Sequence, residues 1–379
     1  MTDTPEVRAR RLVDELTHRG AVSQRMAAAL RAVPRHLCIP DTIYRHERGR
    51  AGNDLVPVRR GEQPEEWLRL VYADEAVNTQ VDDGQPAEDG TGWEVTSSSS
   101  QPSVVAGMLD ELHAQPGDLV LEIGTGTGWH AALLAHLIGP ENVTSVEVDS
   151  TIADRARAAL DSAGYGKISV ITGDGVVGCP GGAPYHQVIA TVGVARVPYP
   201  WVEQTRSGGR LVVPLTGDYQ PPGVVALTAH GDGTASGRLS GPADFMALRA
   251  QPGRHRPPVH TVLDDVPAER ETTTDVHPWH LAGDRDAATA IGQWVTGVRR
   301  VWQPAGPLGT LWLYAAESRS WASLELLDQP PYPVRHAGPR PLFDEVIDAY
   351  RWWRDASAPA FDQWLMTVTP ERQTITLDR

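Results

Sequence analysis

The block VLEIGTGTGWHAALL, residues 120–134, constrains the fold of this chain more than any other stretch. An apolar run enters a turn with glycines at 124, 126 and 128, and a second apolar run leaves it. A strand that stops in such a turn and restarts as a helix presents backbone N–H groups and a helix N-terminus to a polar or anionic ligand. Gly124 and Gly126 allow tight backbone approach, and Gly128 lets the helix begin close to the sheet. The alternation continues downstream. Leu119–Ile123, Val143–Val148, Ile168–Thr172, Val188–Val192 and Leu211–Leu215 read as strands, with helices over Trp129–Ile138, Thr151–Ala163 and around Trp201–Thr205. Apolar strands alternating with helices predict an α/β fold, a doubly wound and mostly parallel sheet covered on both faces. Val224–His230 and Gly231–Gly241 read as an antiparallel hairpin closing the sheet edge.

Glu147 ends the second strand 23 positions after Gly124, where an acidic side chain accepts hydrogen bonds from the hydroxyls of a bound ribose. A dinucleotide fingerprint would place its third glycine at position 129, which is Trp129. The spacing is instead GxGxG, with Glu122 on the strand before it, and this favours S-adenosylmethionine over NAD. Candidate cofactor-binding residues are therefore Glu122, Gly124, Thr125, Gly126, Thr127, Gly128, Glu147 and Val148. Gly173, Asp174 and Gly175 follow the third strand and form a second wall, Asp174 accepting from the exocyclic amine of adenine. In isolation they are an ordinary turn. Trp129 reads as a lid over the donor or as packing, and His130 as a surface or capping residue.

Around this block the pattern divides into three. Residues 1–102 are an N-terminal helical and substrate-side segment: two helices over 6–33 with Ser23 as an N-cap, then irregular chain with strand-like Leu55–Val58 and Trp67–Tyr72 and a polar loop Asp82–Gly92. Residues 103–250 hold the nucleotide-like domain. Beyond a Pro-rich linker, Gln251–Pro258, residues 259–379 carry eight of the twelve tryptophans and read as a small α+β domain. Those tryptophans either fill its core or anchor a peptide. The net charge of −14 argues against tracking a phosphate backbone, so nucleic acid is excluded as a partner. No apolar run approaches the ~20 residues that span a bilayer, and the charged N-terminus lacks a signal-peptide pattern. Cys38 and Cys179 are the only cysteines, far apart, which supports neither a disulfide framework nor a metal site. A soluble cytoplasmic protein is expected, without membrane or metal.

Eight segments, in order, then carry a resemblance. VPRHLCIP (33–40), YADEAV (72–77), SQP (100–102), VLEIGTGTG (120–128), TSVEVD (144–149), GDG (173–175), APYHQVIAT (183–191) and GGRLVVPL (208–215) resemble the protein-L-isoaspartate (D-aspartate) O-methyltransferase family. The resemblance implies a class I, Rossmann-like methyltransferase that binds S-adenosylmethionine at the strand ends and methylates a carboxylate in a peptide or protein. It also implies that the serine of the SQP segment lies beside the donor methyl and the substrate carboxyl. Carried over, that catalytic residue is Ser100, with Ser97, Ser98, Ser99 and Gln101 as substrate-binding neighbours. The residues alone leave a serine-rich linker or a helix N-cap open.

The chain also departs from the family pattern. The Gly-rich IGxGQTIS segment that leads into SQP is replaced by NTQVDDGQPAEDGTGWEVTSSSSQP, residues 78–102. This replacement, GTASGRLSGPADFMALR (233–249), GTLWLY (309–314) and YPVRHAGPRPLFDEVIDAYRWW (332–353) resemble a branch encoded with ATP-grasp peptide maturases or lanthipeptide synthetases. That branch implies methylation of an aspartate in a macrocyclic, ribosomally made precursor peptide, followed by closure to a succinimide (aspartimide) and opening to isoaspartate. The alternative is repair of isoaspartyl residues in damaged proteins.

Overall fold

The computed structural model describes residues 3–47, 54–251, 267–305 and 308–378. Helix α1 (Pro5–His18) starts where Thr4 accepts from the Val7 N–H, and α2 (Gln24–Ala32) where Ser23 accepts from the Met26 N–H at 3.1 Å. A four-stranded antiparallel sheet follows, built from β1 (Thr42–His46), β2 (Leu55–Arg59), β3 (Val77–Val81) and β4 (Val95–Ser99) in the order β2-β1-β3-β4. The strand expected over Trp67–Tyr72 is instead helix α3 (Pro64–Val71). Pro64 sits in its first turn with Glu65 and Glu66, and Trp67 and Val71, four apart, are both fully buried. A short apolar run does not by itself distinguish strand from helix, and the first-turn residues decide it.

Helix α4 (Pro102–Leu112) leads into the main sheet. There β5 (Val120–Ile123), α5 (Trp129–Ile138), β6 (Val143–Glu147), α6 (Ser150–Ser162), β7 (Ser169–Thr172), β8 (Tyr185–Ala190), α7 (Tyr199–Glu203) and β9 (Thr205–Leu215) alternate as the sequence predicts. The hairpin of β10 (Gly223–Ala229) and β11 (Ala235–Pro242) comes next. The expected linker lies outside the described residues from position 252 onward. Past it, β12 (Arg270–Thr274), α8 (Pro278–Ala282), α9 (Arg285–Trp294), β13 (Arg299–Ala305), β14 (Leu308–Ala315), β15 (Ser320–Leu326), β16 (Tyr332–Ala337) and α10 (Leu342–Asp355) form an α+β body. Its sheet runs β12-β16-β15-β14-β13.

The chain ends in β17 (Trp364–Val368) and β18 (Gln373–Leu377), and these return to the main sheet, whose order is β18-β17-β11-β10-β9-β8-β5-β6-β7. The β10–β11 hairpin therefore does not close the edge. β17 pairs antiparallel with β11 from Ala235↔Val368 to Arg238↔Leu365, covering backbone groups that an edge strand would leave unpaired. The apolar core is continuous across this junction. Leu121, Val213 and Leu227 share one buried cluster with Ile291, Leu313, Val346 and Trp364. β9, β8, β5, β6 and β7 run parallel. From β5 the sheet grows first through β6 and β7, then back on the other side through β8. This reversal opens a crevice at the carboxyl end of β5. Among the described residues, no helix is long and apolar enough to cross a membrane.

Candidate active site

A cavity of about 480 Å³ fills that crevice, large enough for a nucleoside-sized ligand. The glycine turn forms its floor. Gly124 has φ +96°, and a Cβ there would meet the Thr191 hydroxyl at 2.6 Å. Gly128 has φ +83°, a conformation that favours glycine, and a Cβ there would press on Leu160 Cγ of α6 at 3.1 Å. Glu147 is buried at the end of β6. Its Oε2 accepts from the Gly126 N–H at 3.0 Å and its Oε1 from the Asp149 N–H at 3.1 Å. A carboxylate has about four acceptor sites, so two backbone donors fix it and leave capacity for a ligand's hydroxyls.

Opposite the turn stands β4. Its residues alternate between faces, as strand residues must. All four serines line the cavity; Ser97 and Ser99 are buried, Ser97 accepting from Thr79 at 3.3 Å and Ser99 from Arg35 Nε at 3.2 Å. Ser98 and Ser100 are half-buried on the cavity lining, and their hydroxyls have no hydrogen-bond partner among the described residues. Gln101 also lines the cavity and donates to Ser103 Oγ at 3.0 Å.

Arg35, in the PRH of VPRHLCIP, is a residue that sequence reasoning missed. Its guanidinium is fully buried behind β4 and makes six hydrogen bonds: one to Ser99 Oγ, the others to the carbonyls of Val71, Glu75, Ser99 and Ser100. It lies 5.1 Å from the centroid of Trp129, whose indole N–H donates to the Val33 carbonyl. Trp129 thus lines the cavity mainly as packing. Burial pushes Arg35 down to about 9, which leaves it charged at neutral pH. Among the described residues, no carboxylate pairs with it directly.

Beside the turn, several residues expected at the cofactor lie off the cavity lining. Glu122 does not line the cavity. It is wholly buried (0 % exposed) one layer below, where Oε1 lies 2.5 Å from His130 Nδ1 and Oε2 accepts from the Ser145 hydroxyl. His130 is correspondingly neither a surface nor a capping residue. A buried carboxylate needs donors, and the second residue of α5 supplies one. Ser145 pairs in turn with Thr125 Oγ1 at 2.6 Å. Of the Gly-Asp-Gly turn, only Gly175 lines the cavity. Gly173 and Asp174 lie outside the lining, the Asp174 carboxylate accepting from the Val176 N–H at 2.9 Å in its own turn. Gly128, as the helix cap, also stands outside it, while Thr125, Gly126, Thr127 and Val148 line it.

The remaining wall is the segment after β11, residues 244–249. Gly193 and Ala247 form an isolated bridge, with the Gly193 N–H donating to Met246 O at 2.8 Å and the Leu248 N–H to Gly193 O at 2.8 Å. Arg249 ties this strap to the substrate side, reaching Asp149 at 3.4 Å, Asp83 at 3.3 Å and the Thr96 carbonyl at 3.3 Å. Nothing in local periodicity marks these residues, because only the fold carries them across the crevice. Among the described residues, no three His, Cys, Asp or Glu side chains group to hold a metal ion.

The family described as protein-L-isoaspartate(D-aspartate) O-methyltransferase matches residues 7–248. A protein-L-isoaspartate O-methyltransferase of Methanoculleus marisnigri is 36% identical over 201 residues, 53% of this chain and 73% of its own. Protein-L-isoaspartate O-methyltransferase 2 of Archaeoglobus fulgidus is 31% identical over 244 residues, 64% of this chain and 93% of its own. A solved protein-L-isoaspartate O-methyltransferase shares the fold over 98% of this chain and 100% of its own, with a TM-score of 0.54 at 21% identity. With the motifs in order along the matched stretch and the crevice at the carboxyl end of β5, the chain belongs to the protein-L-isoaspartate(D-aspartate) O-methyltransferase family, carboxyl O-methyltransferases with the class I S-adenosylmethionine-dependent fold.

Proposed function

We propose that this protein transfers a methyl group from S-adenosylmethionine to the side-chain carboxylate of an isoaspartyl residue in a peptide or protein. The observation that carries this reading is one cavity in which the glycine turn and Glu147 face two free hydroxyls, Ser98 and Ser100. The lining suits the donor. Gly124 lets the turn close against Thr191 and Val192, where a Cβ would collide, Glu147 keeps acceptor sites for a ribose, and Val148 and Leu248 offer apolar surface to a purine. Gly173 and Asp174 adjoin Gly175, which is on the lining, and the adenine amine is assigned to Asp174 as part of this proposal. The donor supplies a methyl group on a cationic sulfur.

The chain's own residues supply positioning. A carboxylate is ionised at neutral pH, so no general base is required. Its oxygen must lie ~3–3.5 Å from the methyl carbon and in line with the leaving sulfur. Ser100, assisted by Ser98, orients that carboxylate through hydroxyl donors. Ser97 and Ser99 hold the strand from behind, and Gln101 and the strap at 244–249 narrow the mouth. Exclusion of water strengthens the attraction between carboxylate and sulfonium. The test uses purified protein, methyl-labelled S-adenosylmethionine and two synthetic peptides that differ only in aspartate against isoaspartate. Base-labile label is expected on the isoaspartyl peptide, and its absence from both overturns the reading.

A finer reading takes an ordinary aspartate in a macrocyclic precursor peptide as substrate. The next backbone amide nitrogen would attack the methyl ester carbonyl, expel methanol and leave a succinimide, which water opens to isoaspartate. What favours it is the acidic insertion and serine strand at residues 78–100 in place of the family's Gly-rich segment. The appended body does not separate the two readings, since the solved relative shares that fold along its whole length. Under the finer reading, residues 1–102 form the substrate side and residues 259–379 recognise peptide, with Trp279 and Trp294 more than half exposed. Methyl gain and then methanol loss on the cyclised peptide, with a linear isoaspartyl peptide untouched, would select it.

A further inference from the structure

We infer that His130 binds the amino-acid end of S-adenosylmethionine, its Nε2 accepting a hydrogen bond from the α-ammonium group. The inference rests on the donor reading above and adds a residue to it. His130 lines the cavity, yet only 7 % of it is exposed. Its Nδ1 is 2.5 Å from Glu122 Oε1. In the neutral imidazole, the tautomer that donates from Nδ1 to the Glu122 carboxylate keeps its lone pair on Nε2. Behind it the chain of contacts is satisfied: Glu122 accepts from Ser145, and Ser145 pairs with Thr125. Within this chain of contacts, Nε2 is the atom left buried with no partner among the described residues. Buried polar atoms in folded proteins are almost always hydrogen-bonded, and the exceptions await a ligand or a water.

The charge behind the imidazole selects the ligand group. Glu122 sits on the far side of the ring, so what meets Nε2 faces a lone pair backed by a buried negative charge. A cationic N–H donor is favoured there, and a carboxylate is repelled. Glu147 and Val148, at the end of β6, suit the nucleoside, whereas His130 stands on the β5 side, in the first turn of α5. The donor's other polar end is its amino-acid arm, and the ammonium is the cation with N–H groups that this arm carries. A histidine held by a carboxylate on one nitrogen has its ring orientation and tautomer set before the ligand arrives.

The experiment compares three nucleosides by titration calorimetry: S-adenosylhomocysteine, its analogue lacking the α-amino group, and 5′-methylthioadenosine, which lacks the whole arm. His130→Asn keeps an amide N–H near the Nδ1 position for Glu122 and deletes Nε2. Wild-type protein is expected to prefer S-adenosylhomocysteine to the deamino analogue by roughly 10–100-fold, the range of a hydrogen bond to a charged group. His130→Asn should abolish that preference while leaving 5′-methylthioadenosine affinity unchanged. Equal wild-type affinity for the first two ligands overturns the inference, and this arm needs no variant to fold. An equal loss for all three in the variant also overturns it, since that marks a structural role. If the wild type binds no S-adenosylhomocysteine at all, the donor reading itself has failed.

Discussion

Ser97, Ser98, Ser99 and Ser100 are chemically identical, and their places on β4 make them different. All four line the cavity, but the hydroxyls of Ser97 and Ser99 meet buried partners, while those of Ser98 and Ser100 have none among the described residues. Ser100→Ala is accordingly expected to lower kcat roughly 10–100-fold, the worth of a hydrogen bond to a charged group, with donor affinity nearly unchanged. Ser97→Ala in the same assay should change kcat little. Single-turnover kinetics with calorimetry on the same preparations checks both. Cys38 supplies a pH-dependent effect. Burial pushes its thiol up from 9.0 to about 12, so the folded state keeps a proton that the unfolded chain loses first. Its contribution to stability is complete below pH 9 and is lost as pH rises toward 12, by ~1.4 kcal/mol per pH unit within that window. Urea titrations across that range should show a shallower loss for Cys38→Ala. Tyr72 and Tyr219, also pushed up by burial, keep a residual slope in the variant. None of these distinctions among residues is visible in composition. Helical pattern alone left His130 at a surface or cap, because the carboxylate that buries it lies on another element.

At the scale of elements, the glycine turn and the strands around it were legible because their chemistry is local. Alternating glycines, the strand before them and the helix after them are all encoded within residues 120–134. β4 was legible only as a run of serines. Its position depends on Arg35, which comes from the far side of the N-terminal segment and ties the carbonyls of Ser99 and Ser100 to those of Val71 and Glu75. Arg35→Met would leave those carbonyls without their donor. It is expected to reduce unfolding free energy by ~2–4 kcal/mol, measured by urea denaturation. Turnover should fall more than donor affinity, because the residues it releases are on the substrate side. The misread helix α3 shows the converse limit. Five or six apolar and charged residues fit either period, and Pro64 at the first helical position with acidic first-turn residues outweighs that ambiguity.

At the scale of the whole molecule, the match to the family ends at residue 248, but the sheet does not. β17 and β18 extend it past β11, and the α+β body shares its apolar core with β5, β9 and β10. A chain ending at residue 251 is therefore expected to expose the β11 edge and half of a continuous core, and to aggregate. Size-exclusion chromatography of that truncation checks this, and a soluble monomer with full donor affinity would show the two parts to be independent. The sequence by itself determined the parallel core, the glycine turn, the place of Glu147 at the end of β6 and the family, since each is carried by residues close together in the chain or by motifs in a fixed order. Only the tertiary structure decided that the last strands rejoin the first sheet, that Arg35 stands behind the serines and that the strap at 244–249 walls the cavity. It also decided that His130 meets Glu122 under the turn. Those contacts join residues far apart in sequence or on separate elements, where periodicity and spacing carry no information about which side chains the folded backbone brings within hydrogen-bonding distance.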